Sequence, residues 1–445
     1  MQKGLPRALW ALPAATCVVA GFLLYYSFNA PLPVEGGIHV LAGLGAEVHV
    51  EFDELGIPRI SARNAADAYH ALGFVTARDR LFQMDLLRRR TAGRLAEIFG
   101  GDALGEDRWN RVMWFSQLAS VIVSRLPDEQ RHLLEAYAAG VNQAMAAARM
   151  FPVEFTFLGY RPEQWRPEDS ILVTVGMHAL LSWSGDQERT ATVMRRALPP
   201  SIVEFLTPES DCYNEKVAPR NPARCAPGAL PIADLISVTN AANGADEADQ
   251  GIVSAAGSPR GSNAWAVGGA KTRDGRAILA NDMHLELSVP NIWYRAELRY
   301  PGVTLSGLTL PGFPLLIAGS NGQVAWGVTS VEGDFTDLVT LEIDPKAPDQ
   351  YRTPAGLRPF ETRSETIHVR GGTDETLRVR LTIWGPVLPE PLLGRPVAAR
   401  WTALDPASTD LSLSGLAGVT TVTSAIGLLN RAGGPPLNVL LADSS

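Results

Sequence analysis

The chain has 445 residues, with 39 Lys and Arg against 47 Asp and Glu, and its formal net charge of −8 is spread in mixed signs, which leaves no basic stripe for nucleic acid. A hydrophobic fraction of 46% with 41 Gly and 32 Pro fits a loop-rich globular body of two or three domains, or one large two-part body, and confines disorder to short segments.

At the N-terminus, Lys3 and Arg7 precede an apolar run from Ala8 to Phe28, about the 20 residues a bilayer-spanning helix needs. A cleaved signal peptide and a retained anchor both begin this way. Ser27-Phe28-Asn29-Ala30 makes a poor small-x-small cleavage site, which favours an uncleaved transmembrane anchor over residues 1–30. Ala14-Ala15-Thr16 before Cys17 is a weak lipoprotein box. Either reading predicts a body in the periplasm or another extracytoplasmic space. That address suits a disulfide between Cys212 and Cys225, with two free thiols as the alternative.

Residues 36–232 read as mainly helical. A short hairpin is expected first, over VHVEFDELGIPRISA from Val48, with its turn at Leu55-Gly56-Ile57-Pro58. The segment Ala65 to Phe99 then places Ala68, Leu72, Val75, Leu81, Met84, Leu87, Leu95 and Ile98 on one apolar helical face. Arg78, Asp79, Arg80 and Arg88 to Arg90 fill the other positions and read as a solvated face. Further helix is expected from Ile122 to Met150 and from Ser170 to Leu198.

Residues 233–261 are rich in Gly, Ala, Ser and Asp, contain no aromatic residue, and read as a cuttable linker. The pattern changes at Ser262, where alternation begins at the period of a strand. Strands are expected over Ala277–Ala280, Ile292–Tyr300, Val303–Thr309, Leu315–Ile317, Val324–Ser330 and Leu338–Glu342, with looser β structure from Tyr351 to Arg400. Ser262 thus stands where a linker meets a sheet. Gly-Ser is common in linkers, but a serine released there carries nucleophile and base together. Its α-amine, with a reference pKa of about 7.7–8.0, can take the hydroxyl proton near neutral pH.

Seven pieces, in order, carry a family resemblance: IPRI (57–60), ARDRLFQMDLLRR (77–89), GSNAW (261–265), NDMHLEL (281–287), GSNGQVAWG (319–327), GDFTDL (333–338) and PLNVLLAD (436–443). From Val48 onward the chain resembles the penicillin acylase family of N-terminal nucleophile hydrolases. The resemblance implies an α+β fold, a four-layer α/β/β/α sandwich wrapped by the N-terminal helical part, with residues 262–445 forming the first part of the nucleophile domain. It implies self-cleavage at Gly261-Ser262 into two chains, after which Ser262 attacks the amide. Asn438 matches the family's side-chain donor to the oxyanion, and the backbone N–H of Ser330 matches the other donor. His284 matches a position lining the site. Glu188, Asp334 and Asp337, with the Thr336 carbonyl, match positions that hold calcium, whose preference for hard oxygen ligands they suit.

Relatives continue well past the asparagine, so the chain reads as C-terminally truncated, and a membrane-anchored, inactive scaffold stands as the alternative function. A conventional serine hydrolase is disfavoured because no Ser lies in G-x-S-x-G, and the histidines show no H-E-x-x-H spacing. The substrate implied is an acylated amine: a β-lactam, an N-acyl-homoserine lactone or an acylated lipopeptide. Met177–Ser184 and Pro311–Leu316 are expected to line the acyl pocket, and Leu180, Leu181, Trp183, Phe313, Leu315 and Leu316 favour a hydrophobic acyl chain.

Overall fold

The computed structural model describes residues 8–33, 36–207, 230–242, 261–285, 287–331 and 333–444, so Cys212, Cys225 and linker residues 243–260 lie outside the described residues. Among the described residues ten helices precede the linker: α1 (Ala8–Asn29), α2 (Ala65–Ala92), α3 (Ala96–Phe99), α4 (Leu104–Val112), α5 (Phe115–Arg125), α6 (Asp128–Ala147), α7 (Val153–Leu158), α8 (Pro167–Ser182), α9 (Gly185–Ala197) and α10 (Pro200–Leu206). Part of the expected linker is itself helical, over Ile232–Ala242.

The apolar N-terminal run is helical, yet among the described residues no helix is long and apolar enough to cross a membrane. Pro13 interrupts this run, and Tyr25, Tyr26, Ser27 and Asn29 dilute its C-terminal end. The expected transmembrane anchor is therefore not borne out.

Asn64 starts α2 by accepting a hydrogen bond from the Asp67 N–H at 2.8 Å, and a left-handed Gly93 stops it. The single helix expected to Phe99 is thus two. Leu126 and Pro127 likewise divide α5 from α6. Along α2 the residues Ala68, Leu72, Val75, Leu81 and Met84 are buried at helical spacing, as expected. The charge-rich positions beside them are not all solvated: Asp85, Arg88 and Arg89 are buried too. Their partners explain why. Arg88 bonds Asp85 and Asp169, and Arg89 bonds Asp85 and Glu97.

The main sheet has the order β1-β2-β5-β6-β7-β8-β15, formed by His49–Phe52, Pro58–Ser61, Tyr294–Tyr300, Val303–Thr309, Ala318–Ser320, Val324–Ser330 and Leu437–Asp443. All pairings are antiparallel except β2 with β5, where Arg59 faces Glu297. The hairpin before the helices therefore supplies the edge of a sheet built after the linker. One hydrophobic core reflects this, joining Leu72, Met84, Ile122, Leu134, Tyr137 and Ile171 from the helices to Leu298, Leu305, Val324 and Trp326 from the sheet. The α+β class matches expectation.

Four two-stranded ladders complete the described residues: β3–β4 (Gly261–Val267 with Ile278–His284), β9 (Thr336–Thr340) with β14 (Val397–Trp401), β10–β11 (Gln350–Thr353 with Gly356–Pro359) and β12–β13 (Glu361–Ile367 with Glu375–Leu381). The strand expected at Leu315–Ile317 forms three residues later, as β7. Leu315 and Leu316 are instead packed in the core.

Candidate active site

Ser262 is the second residue of β3, and its register partner on β4 is Met283, with Gly261 opposite His284. The Ser262 Oγ donates to the Gly261 carbonyl oxygen at 2.5 Å. His284 is tied at Nε2 to the Asp282 carboxylate at 2.7 Å. The three side chains of this corner are thus a hydroxyl against the carbonyl preceding it and a histidine–aspartate pair across the ladder.

One asparagine fixes this hairpin to the main sheet. The Asn281 Oδ1 accepts the Val328 N–H at 2.8 Å, while its Nδ2 donates to the Val328 carbonyl at 2.8 Å and to the Asn263 carbonyl at 3.1 Å. Beyond the short β7, the edge of β8 would otherwise be open, and the carboxamide stands in for a strand there. Gly327 makes room for it, since a Cβ at that position would lie 2.9 Å from the Asn281 Cβ. Bonds of Val328 that turn toward the hairpin also orient its neighbours. Alternate residues of an antiparallel strand direct their N–H groups to the same side, so the Ser330 N–H is turned toward the hairpin as well.

Asn438 on β15 faces Thr329, and its Nδ2 donates to the Thr329 Oγ1 at 3.1 Å and to the Ser330 carbonyl at 3.2 Å. Its neighbours Leu437 and Val439 line the cavity below, whereas Asn438 itself is exposed and off that wall. The structure therefore brings Ser262, His284 and Ser330 to one cavity and leaves Asn438 beside it.

That cavity has a volume of about 300 Å³ and a mostly apolar wall. Its size reaches the ~300–1,000 Å³ range of small-molecule sites. Helix α8 contributes Met177 and Leu181, the turn after β6 contributes Phe313, and Trp293, Leu413 and Leu429 close other sides. Of the pocket residues expected from sequence, Met177, Leu181 and Phe313 line it. Leu180, Leu315 and Leu316 do not, and Trp183 packs instead against Trp109 and Trp401.

The Phe313 turn is set by the helices. The Gly312 N–H bonds the buried Tyr137 hydroxyl at 3.1 Å, and Gly312 takes φ +100° with Trp165 and Val173 against it, a position with no room for a Cβ. Trp293 is placed from α2, which departs from helical geometry at Arg80. There Arg80 and Gln83 both donate to the Asn291 carbonyl, at 2.9 and 3.0 Å. Sequence reading missed Asn281 and Trp293, although Asn281 heads the NDMHLEL piece.

The expected calcium ligands come from elements in contact, since α9 packs against β9. The carboxylates of Glu188, Asp334 and Asp337 enter no hydrogen bond or ion pair among the described residues, and the buried Thr336 Oγ1 has no partner. Among those residues, however, no three His, Cys, Asp or Glu gather closely enough to hold a metal ion. Asp334 and Asp337 are exposed, so these four residues do not assemble a shell.

Comparison with known proteins bears on the family of the chain. The chain is 32% identical over 362 residues to an acyl-homoserine lactone acylase, QuiP, of Pseudomonas aeruginosa, covering 80% of this chain and 42% of that protein. It is 34% identical over 410 residues to the penicillin acylase 2 proenzyme of Pseudomonas sp. strain SE83, covering 89% and 51%. To the penicillin G acylase of Escherichia coli it is 26% identical, covering 84% and 48%. The chain thus spans about half the length of the curated relatives it matches. A solved thermostable penicillin G acylase from Alcaligenes faecalis aligns over 40% of this chain and 33% of its own, with 24% identity and a TM-score of 0.38. A family model described as penicillin amidase matches residues 47–445, and the chain belongs to that family.

Proposed function

We propose that the protein is an amidohydrolase that releases an acyl group from an amine through an acyl-enzyme on Ser262, after cutting itself before that residue. The observation that carries this reading is the Ser262 hydroxyl lying 2.5 Å from the Gly261 carbonyl oxygen at an apolar cavity. In the self-cleavage, Oγ attacks the Gly261 carbonyl carbon, the Gly261–Ser262 C–N bond breaks as the amine takes a proton, and water hydrolyses the resulting ester. The freed α-amine then accepts the Oγ proton during attack on the substrate amide and returns it to the departing amine. A second water frees the acid.

The oxyanion of each attack needs donors already in place. The Ser330 N–H, turned toward the hairpin, would be one, and Asn438 would serve by releasing one of its two present acceptors. Named relatives act on penicillins and acyl-homoserine lactones, and a substrate with a hydrophobic acyl chain suits this cavity. We also propose an extracytoplasmic location, from the apolar N-terminal run, which fractionation of the producing cell checks.

Calcium is proposed as a structural ion only. Glu188, Asp334 and Asp337 would have to be drawn together by it, and a rise in thermal midpoint on adding Ca²⁺ that Glu188→Gln removes is the expected result. The catalytic reading is tested by assaying release of amine from linear acyl amides. Wild-type protein should turn them over and Ser262→Ala should not. Equal activity of the two would remove Ser262 as the nucleophile, and no activity in either would favour the scaffold reading.

A further inference from the structure

Among the described residues that line the cavity, Asp410 is the one that carries a carboxylate. Its Oδ1 accepts the Ser412 N–H at 2.8 Å and the Gly433 N–H at 3.0 Å, while the Gly434 N–H bonds the Ser408 carbonyl at 2.8 Å. These bonds zip the chain before Leu413 to the loop leading into β15, so the carboxylate is held rather than trailing in solvent. Oδ2 accepts nothing from the described residues. Of the other polar wall residues, Ser262, His284 and Ser330 belong to the reacting end, the Thr329 hydroxyl accepts from the Asn438 Nδ2, and the Thr174 hydroxyl bonds the Ser170 carbonyl on its own helix.

A carboxylate can only accept hydrogen bonds. Covering Oδ2 with a purely apolar acyl chain strips it of water without return, and a substrate carboxylate would add repulsion. A donor on the acyl chain satisfies it. On the reading given under Proposed function, we propose that Asp410 is a specificity-determining residue that selects acyl groups bearing a hydrogen-bond donor, hydroxyl or ammonium, over plain and anionic ones. Hydrogen bonds to charged groups discriminate by roughly 10- to 150-fold.

The test uses the protein with four linear amides of one amine, whose acyl chains have equal length and end in methyl or carry a hydroxyl, an amino or a carboxylate group. kcat/KM for the hydroxyl or the amino substrate should exceed that of the plain one by about tenfold or more, with the carboxylate substrate slowest. Which of the two donors leads tells the source of the donor. Asp410→Asn keeps an oxygen for the Ser412 and Gly433 N–H groups but replaces Oδ2 with a donor. It should collapse that preference and raise the carboxylate substrate, with hydrolysis of the plain amide retained.

An unchanged preference in active Asp410→Asn, or equal kcat/KM for plain and donor-bearing substrates in the wild type, overturns the proposal. The wild-type comparison decides alone if the variant does not fold. Failure to hydrolyse any of the four amides removes the acylase reading and this inference with it, an outcome distinct from hydrolysis without preference.

Discussion

The charge cluster on α2 and the hairpin that carries Ser262 are held in opposite ways. Asp85 is 1% exposed and takes four donors: two from Arg88 at 2.6 and 2.9 Å, the Arg89 Nε at 2.8 Å and the Tyr160 hydroxyl at 2.8 Å. Arg88 reaches on to Asp169 and the carbonyls of Glu163 and Gln164, so α2, α8 and the segment before α8 share one satisfied polar knot. In β3 and β4, by contrast, no residue is buried, and the Asn281 carboxamide brackets the pair to β8. A buried charge needs every partner because none of it can turn to water. On the proposed reading, the strand that breaks its own backbone, exposes a new amine and admits substrate sits instead on a half-exposed mount.

The contrast can be broken first at Asp85. Asp85→Ala leaves two buried guanidinium groups without their shared carboxylate and should cost about 3–5 kcal/mol in urea unfolding. A loss below about 1 kcal/mol would mean that the cluster is hydrated after all.

His178 on α8 sharpens the same point with pH. Both ring nitrogens are buried without a hydrogen-bond partner at bonding geometry, and burial lowers the pKa from 6.5 to about 4, opposed weakly by the nearby Ser408 main chain. The folded pKa is the lower one, so the unfolded chain binds the proton first. The neutral ring's full stability holds above pH 6.5 and declines as pH falls toward 4, by about 3 kcal/mol. His178→Leu should flatten that part of the pH–stability curve relative to wild type, and parallel curves would contradict the assignment.

Asn281→Ala is the smallest of these in stability. It leaves the Val328 N–H and carbonyl unpaired, at a cost of about 1–3 kcal/mol. Its mark should fall on chemistry, with self-cleavage and amide hydrolysis reduced well beyond what Asp85 variants lose while still folded. Full activity in Asn281→Ala would show that the hairpin needs no bracket.

Much of this was legible in the residues. Alternation located β5, β6 and β8, the Leu55–Pro58 turn located the β1–β2 hairpin, and the change of pattern at Ser262 located β3. What escaped the sequence depends on distant partners. Arg88 and Arg89 follow the spacing of a solvated helix face, and their burial is set by Asp169 and the Glu163 segment some eighty positions later. The pocket was half legible for a related reason: Leu181 and Leu315 are equally apolar, and the placing of the Gly312 turn by Tyr137 decides which neighbours face the cavity and which face the core. Asp410 gave no local signal, since its loop is defined only by the return of the chain at Gly433. The calcium set is the reverse case and stays a proposal, since residue types and order suit an ion while among the described residues the acids are not gathered.

The central claim is that Ser262 becomes an N-terminus, and intact-mass measurement with N-terminal sequencing of purified wild-type protein and Ser262→Ala tests it most directly. The account predicts a wild-type fragment beginning Ser-Asn-Ala-Trp that is absent from Ser262→Ala. A folded wild-type protein that keeps Gly261 joined to Ser262 would contradict it.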